Sequence, residues 1–288
     1  MPVRTQVTVG TRVTVMAVAL ATMASQAMAQ LPSGSILARY DFEAPPADRW
    51  QLPKTLDEVS GLALDGDRLL AHGDERAIVY RLDPSSHRVV DHFSLGGPAL
   101  SGDFEGIAVH DGRVFLTTSD GDVYSAPMGA AGAAVPYQRF VTGIGRSCEV
   151  EGVAGDGTGE GLLLGCKTAR VRALKGRLAV FGWAPGRPAP ATVRLAVPEH
   201  LLGIGGGETV SPSELLRDPA TGHLLLLAAR ARMLIELSPA GEVVAVARLK
   251  RRLHRQAEGL ALGRDGALFV ADEAAGGHAT LTTYRPVR

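Results

Sequence analysis

Three glutamates occupy the same position in a short motif that recurs along the chain. Each copy places a polar residue before a small residue, usually glycine, and a following apolar run. The polar positions of the five copies are Ser60, Glu105, Glu151, Ser213 and Glu258. By difference of these positions, successive copies are 45, 46, 62 and 45 residues apart. A fold that brought the copies together would place three carboxylates around one point, where they would repel one another strongly.

Such a group of carboxylates needs a neutralising partner. The motifs that carry Glu105, Glu151 and Glu258 offer oxygen ligands without His or Cys, and flexible oxygen-only sites favour Ca²⁺ over Mg²⁺ or Zn²⁺. The sequence therefore predicts a calcium site formed by these three glutamates. Two alternatives stay open: salt bridges to Lys167 and Arg230, or a raised pKa that keeps one carboxyl protonated.

A second set of polar residues stands at the ends of the apolar runs that follow the motifs. Together with Ser60, Ser213, Lys167 and Arg230, these residues are predicted to line a central channel and its mouth. They are Asp74, Glu75, Asp120, Asp272 and Glu273. His72 also ends such a run, and we interpret it as a satisfied or solvated imidazole rather than an acid–base residue.

The repeat itself indicates the fold. Self-similarity at a period in the forties is typical of a β-propeller, in which one unit repeats around an axis. After several motifs an Asp-Gly turn separates two apolar runs, as at Asp65-Gly66 and Asp265-Gly266, and this pattern predicts a hairpin. We therefore predict an all-β propeller with five blades of four antiparallel strands, in which the first strand of each blade lines the channel.

Two details of this propeller are less regular. We expect an enlarged third unit to absorb the 62-residue step, and the alternative is a sixth blade within residues 181–200. The ring is predicted to close by pairing of N- and C-terminal strands. The segment Ser35–Asp41, which reads as an outer strand, is predicted to complete the last blade.

The two cysteines flank a predicted hairpin. Cys148 and Cys166 lie on either side of the glycine-rich stretch Gly155–Gly161, which reads as a turn between two strands. Folding about that turn brings them to a separation that a disulfide can span. The sequence predicts a structural disulfide, and two buried free thiols are the alternative.

Residues 1–29 have the pattern of a secretory signal peptide. Arg4 and Arg12 precede an apolar stretch, and Ala27-Met28-Ala29 is a small-residue cleavage site. The remaining residues, 30–288, are predicted to form one propeller domain in the periplasm or outside the cell. An uncleaved segment that anchors the protein in the inner membrane is the alternative. With 30 basic and 30 acidic residues, the chain offers no electrostatic reason to bind nucleic acid or an anionic membrane.

In this order, the motifs resemble those of the SdiA-regulated family of secreted bacterial propellers. The resemblance rests on Asp103–Gly106, Glu149–Val153, Ser213 and Gln256–Leu260, and it extends over nearly the whole chain after the signal peptide. It implies a five-bladed propeller with a calcium site, distantly related to NHL-type and to esterase-like or phytase-like propellers. Two departures concern the channel. Thr168 follows Lys167 where a charged pair is usual, and Glu214 stands in place of glycine in the fourth motif.

Two functions follow from these features. The preferred hypothesis is a monomeric binding or scaffold protein of the cell envelope, in which calcium is structural and the channel mouth holds a small molecule or an envelope ligand. The alternative is a metal-dependent hydrolase of phosphoesters, esters or lactones, with a carboxylate such as Glu105 as base. Against the hydrolase, only Arg146, Lys167 and Arg230 can be placed near the motifs as cations that would hold a phosphate.

Overall fold

The described part of the chain, residues 34–159, 161–187, 189–203 and 210–287 of a computed structural model, consists of five sheets. The predicted signal peptide, residues 1–29, lies outside the described residues. Every sheet contains four antiparallel strands, and the first sheet has an additional short parallel strand at its edge. The predicted all-β propeller with five blades is therefore confirmed.

The strands follow the motifs in order. Strand β1 spans Asp48–Gln51 and stands before the first blade. The first blade contains β2 (Val59–Asp65), β3 (Arg68–Gly73), β4 (Ile78–Asp83), β5 (Arg88–Leu95) and the added β9 (Ala134–Val135). The second contains β6 (Phe104–His110), β7 (Arg113–Thr118), β8 (Asp122–Pro127) and β10 (Gln138–Val141). The third contains β11 (Cys148–Gly155), β12 (Leu162–Ala169), β13 (Arg177–Trp183) and β14 (Thr192–Pro198). The fourth contains β15 (Glu214–Arg217), β16 (Leu224–Ala228), β17 (Met233–Leu237) and β18 (Val243–Arg248). The fifth contains β19 (Ala257–Leu262), β20 (Leu268–Asp272) and β21 (Thr280–Tyr284).

Helical structure in the described residues is limited to single 3₁₀ turns. They are Leu37–Arg39, Lys54–Leu56, Ile144–Arg146, Arg172–Leu174 and Glu199–Leu202. Within the same described ranges, none of these helices has the length and apolar character needed to cross a bilayer.

Within its described residues, the long third unit contains no sixth blade. Its residues 177–198 form β13 and β14, which are the third and fourth strands of the third blade. The first strands β2, β6, β11, β15 and β19 contact one another in that cyclic order around the axis. Between neighbouring blades, apolar side chains such as Phe115 and Phe181 are buried from water, and this burial is the main force that holds the ring together.

The ring closes as predicted, but with a different strand. The fifth blade receives β1 as its outer strand, with Arg49 opposite Thr282 and Trp50 opposite Leu281. The prediction that Ser35–Asp41 would complete this blade is wrong. That segment contains a 3₁₀ turn, and it is attached to the fourth blade by a buried carboxylate, which leaves the position beside β21 to β1.

The predicted disulfide between Cys148 and Cys166 is confirmed. Their Cα atoms are 5.7 Å apart, and they join β11 to β12, the first two strands of the third blade.

Four of the five motif residues, Ser60, Glu105, Glu151 and Glu258, lie at irregularities in the first strands, whereas Ser213 stands immediately before β15. In the first blade Val59 is opposite Gly73 and Gly61 is opposite His72, so that Ser60 is an extra residue without a partner in β3. The same one-residue shift occurs at Glu105 in β6 and at Glu258 in β19. A β-bulge turns the side chain of the extra residue out of its regular alternation. The bulges therefore explain how residues far apart in sequence are directed to one end of the channel.

Candidate functional site

The bulged residues form an acidic cluster at the end of the channel where the first strands begin. Ser60 Oγ donates a hydrogen bond to Glu105 Oε2 at 3.4 Å, and this bond joins the first and second blades. Lys167, near the end of β12, forms an ion pair with Glu151, and its Nζ is also 3.7 Å from Glu149 Oε1. We call this group the acidic mouth; it comprises Ser60, Glu105, Glu151, Lys167 and Glu258.

Two carboxyls of the acidic mouth are poorly neutralised. Burial raises the pKa of Glu105 to about 7, although the positive charge of Lys167 opposes the shift. Burial also raises the pKa of Glu258 to about 7, and the negative charges of Glu273 and Glu105 add to this effect. Because Lys167 is already paired with Glu151, the site holds more negative charge than its single ammonium can compensate.

Acidic residues around the cluster extend this excess of negative charge. Asp74 raises the pKa of Glu58, and burial raises the pKa of Asp74 itself. Burial and the charge of Asp74 raise the pKa of Glu273, which accepts a hydrogen bond from the Gln256 side chain. Glu75 is exposed and lines a side cavity with Asp74. Asp74 adds to the negative charge that acts on Glu105, and Glu273 adds to the negative charge that acts on Glu258.

Asp272 and Asp120 differ from the expectation that they line the channel. The Asp272 carboxylate is buried inside the fifth blade, where the His254 ring nitrogen Nδ1 is 2.8 Å from its Oδ2. The other ring nitrogen of His254 is 2.8 Å from the Tyr284 hydroxyl. Buried polar groups need such partners, and this network therefore fixes the Asp272 carboxylate inside the blade. The Asp120 side chain is exposed and lies 3.3 Å from Arg170 Nη1 at the surface.

The side chains of Ser213 and His72 contact backbone carbonyl groups inside the protein. The Ser213 hydroxyl donates to the carbonyl of Ala257 at 2.8 Å and so joins the fourth blade to the fifth. His72 is fully buried, which lowers its pKa to about 4, and its Nδ1 is 3.0 Å from the Gly73 carbonyl oxygen. The imidazole is therefore neutral near pH 7. Its Nε2 has no hydrogen-bond partner among the described residues.

Glu214 closes the channel below the acidic mouth. At this level the first strands approach backbone to backbone, since a Cβ on Gly106 would lie only 2.9 Å from the Cα of Gly152. Glu214, at the equivalent position of the fourth motif, directs its carboxyl group into this region. Oε1 accepts a hydrogen bond from its neighbour Leu215 N at 2.9 Å, and Oε2 accepts one from Leu62 N at 3.3 Å. Complete burial raises the pKa of Glu214 well above its usual range.

Three arginines lie beside the acidic mouth, and the sequence indicates one of them, Arg230, but not the other two. Arg230, Arg232 and Arg255 line a cavity of about 280 Å³ whose wall also contains Lys167 and Glu258. None of the three arginines forms an ion pair with another described residue. Only Arg230 was anticipated, because Arg232 lies immediately before β17 and Arg255 shortly before β19, in connections whose course no periodicity predicts. Arg146 is not among the lining residues.

The donor set of the acidic mouth fits a hard cation only in part. Across the described ranges, no group of three or more His, Cys, Asp or Glu side chains is arranged as a complete metal site. Glu151 is engaged by Lys167, whereas Glu105 and Glu258 are partly buried carboxyls with unbalanced charge, and Ser60 Oγ lies beside one of them. These oxygen donors are of the type that Ca²⁺ binds.

Several solved structures resemble the chain distantly. A protein of unknown function from Bacteroides thetaiotaomicron has a TM-score of 0.48 at 16% identity, covering 80% of this chain and 56% of that chain. This chain thus spans little more than half the length of that protein. A gluconolactonase from Xanthomonas campestris has a TM-score of 0.47 at 14% identity, covering 80% of this chain and 72% of that chain. The PQQ-bound aldose sugar dehydrogenase from Streptomyces coelicolor has a TM-score of 0.47 at 16% identity, covering 84% of this chain and 99% of that chain.

Sequence comparisons are more specific about the family. No curated protein matches the chain. A family model does match residues 209–275, which include β15 to β20 of the fourth and fifth blades and therefore the motifs of Ser213 and Glu258. Its description is SdiA-regulated, so over these residues the chain resembles the same family that the sequence motifs indicated.

Proposed function

We propose that this protein is a cell-envelope propeller that binds a calcium ion at the acidic mouth and, beside it, a small anionic ligand. One observation carries the proposal: Glu105 and Glu258, from the second and fifth blades, are partly buried and compete for the compensation of a single ammonium group that is already paired with Glu151. A site with this excess of negative charge gains stability from any bound cation.

Calcium is the cation that the donor set favours. Glu105, Glu258 and the Ser60 hydroxyl offer hard oxygen donors from three blades, and water can complete a shell of six to eight ligands. Glu151 could bind the calcium ion only if Lys167 moved away. In this proposal Glu151 is therefore the ion-pair partner of Lys167 and not a calcium ligand. Bound calcium would supply positive charge at the point where the blades converge.

The ligand is inferred from the neighbouring arginines. Arg230, Arg232 and Arg255 face a cavity of about 280 Å³ that reaches Glu258. Guanidinium groups bind carboxylate and phosphate through paired, charge-assisted hydrogen bonds. The cavity is close to the lower limit of about 300 Å³ for small-molecule pockets, so it suits a small anion rather than a polymer segment.

The proposed location in the cell envelope is inferred from the disulfide and from the predicted signal peptide, residues 1–29. Disulfides persist in oxidising compartments, so the Cys148–Cys166 bond supports a periplasmic or secreted protein, which we take to be monomeric. Cell fractionation of the full chain, with and without residues 1–29, distinguishes this location from an inner-membrane anchor.

Titration with Ca²⁺ tests the proposal. Calorimetry at pH 7.5 should show saturable binding to the wild-type protein, and Glu105→Gln or Glu258→Gln should each weaken it at least tenfold. Glu242→Gln, which changes an exposed carboxylate on the fourth blade, is the matched control and should bind calcium like the wild type. Circular dichroism verifies that each variant is folded. Absence of saturable binding by the wild type, or full binding by Glu105→Gln, would contradict the proposal.

One observation favours a hydrolase as a second candidate. A carboxyl with a pKa of about 7, as at Glu105, is suited to general acid–base catalysis near neutral pH. A bound cation would polarise the oxygen of the substrate. An activity screen of the calcium-loaded protein on phosphoesters, esters and lactones separates the two functions. Turnover that is lost in Glu105→Gln and retained in Glu242→Gln would support the hydrolase, whereas calcium binding without turnover would support the binding protein.

A further inference from the structure

The opposite end of the channel contains a second cavity. It has a volume of about 380 Å³ and is bounded by the carboxyl-terminal halves of all five first strands. Its wall is mainly apolar and includes Leu64, Ile107, Val109, Val153, Leu216 and Leu262. We call it the apolar funnel. Apolar walls with a few polar groups at the rim are characteristic of pockets for small molecules.

The apolar funnel is separate from the acidic mouth. No residue lines both the funnel and the arginine-lined cavity. Between them lie the glycines of the first strands and the buried carboxyl of Glu214, which reaches Leu62 N across the channel. A ligand in the funnel would therefore not contact Glu105 or Glu258.

Positive groups border the funnel. Arg217 ends β15, and its guanidinium packs between two turns, with Nη1 only 2.7 Å from where a Cβ on Gly157 would lie. Arg264 lies exposed on the rim beside the fifth blade. Among the described residues neither arginine has an ion-pair partner. Among the described residues that line the funnel, Asp218 is the one acidic residue; it accepts a hydrogen bond from Thr221 Oγ1 at 2.7 Å and is engaged in its own turn.

His110 provides a further polar atom. It ends β6 and lines the funnel, and its Nε2 is buried without a hydrogen-bond partner in the described residues. A buried polar atom left in this state costs free energy unless a ligand or water pairs with it. Together with Arg217, His110 gives the funnel a place for an anionic or hydrogen-bonding head group.

We propose that the apolar funnel binds a small amphipathic carboxylate, with its hydrocarbon body against the apolar wall and its carboxylate at Arg217 and His110. The volume of about 380 Å³ lies within the range of roughly 300–1,000 Å³ found for small-molecule pockets. The unpaired guanidinium groups complement a carboxylate, and the apolar wall complements an alkyl or aryl body. This proposal does not depend on calcium binding at the acidic mouth.

Decanoate, decanol and acetate serve as probes. Calorimetry with the full chain should show saturable binding of decanoate, at least tenfold weaker binding of decanol, which lacks the charge, and no measurable binding of acetate, which lacks the body. Arg217→Gln should weaken decanoate binding at least tenfold. Arg264→Gln should weaken decanoate binding by a smaller factor. Because Arg264 is exposed, this variant still tests the role of the arginines if Arg217→Gln does not fold.

The controls separate the funnel from the acidic mouth. Arg248→Gln, at an exposed position that lines neither cavity, should bind decanoate like the wild type. Glu105→Gln should retain decanoate binding, and Arg217→Gln should retain calcium binding. The proposal is overturned if decanoate does not bind, if decanol binds as tightly, or if folded Arg217→Gln and Arg264→Gln both bind with unchanged affinity.

Discussion

The carboxyl of Glu214, in the fourth blade, accepts a hydrogen bond from the backbone N–H of Leu62 in the first blade, at 3.3 Å. These blades are not neighbours in the ring, because the fifth blade lies between them. The bond therefore crosses the channel, and it places a buried carboxyl where the other motifs have glycine. One side chain thus closes the channel and divides its acidic end from its apolar end.

Replacement of Glu214 should show how much this closure contributes to stability. Glu214→Ala removes both acceptors of the buried Leu62 and Leu215 amides and leaves a cavity, so we expect the free energy of unfolding to fall by about 2–4 kcal/mol. Glu214→Gln keeps the shape and one acceptor oxygen and should cost less than about 1.5 kcal/mol. Equilibrium unfolding in urea measures both, and equal losses would show that the carboxyl oxygens do not act as acceptors.

Stability without calcium should decrease as pH rises. The pKa values of Glu105 and Glu258 are raised to about 7 in the folded protein, so between their unfolded pKa and pH 7 the native state binds more protons than the unfolded state. Their contribution is complete below the unfolded pKa and is lost as pH rises through 7. Allowing for partial exposure, we expect a loss of about 1–2 kcal/mol between pH 5.5 and 8.

Urea unfolding at the two pH values measures this dependence. The double variant Glu105→Gln/Glu258→Gln should lose most of it, because the amides do not titrate. Added Ca²⁺ should restore stability to the wild type at pH 8 and leave the double variant unchanged. A wild-type protein that becomes more stable with rising pH would contradict the raised pKa values.

Removal of the disulfide should lower stability without changing the fold. Cys148 and Cys166 are 18 residues apart, and closing a loop of that length stabilises a protein by about 3 kcal/mol through the unfolded chain. We expect a loss of about 2–4 kcal/mol for the Cys148→Ala/Cys166→Ala variant. Unfolding with and without dithiothreitol provides the control, since the reductant should affect only the wild type. If it affects neither protein, the bond does not form in solution.

Glu236 should hold the N-terminal segment to the fourth blade. Its buried carboxylate accepts hydrogen bonds from Ser35 Oγ at 2.6 Å, Ile36 N at 2.9 Å and Leu37 N at 3.0 Å. Glu236→Ala leaves these donors unpaired, so we expect the segment to detach and trypsin to cleave after the exposed Arg39 at least tenfold faster. Cleavage followed by mass spectrometry tests this, with Glu242→Gln as the control. Unchanged cleavage after Arg39 would show that apolar packing alone holds the segment.

The closing strand illustrates where sequence patterns mislead. Ser35–Asp41 and Asp48–Gln51 both stand before the first blade, and only the first segment has an apolar, strand-like composition. In the structure the apolar residues Ile36 and Leu37 pack into a core cluster shared with the fourth and fifth blades, while their amides bond to Glu236. Apolar composition predicted burial correctly, but it could not tell a buried loop from a strand.

The sequence by itself determined the five-bladed ring, its antiparallel blades, its closure by the chain ends and the Cys148–Cys166 bond. These features depend on repeat length, turn residues and hairpin pairing. Such patterns are local and can therefore be recognised in the sequence. Only the tertiary structure decided that Lys167 pairs with Glu151, that Asp272 turns inward to His254, and that arginines gather beside the mouth. Those outcomes depend on bulges and on competition between partners from different blades, which no single segment encodes.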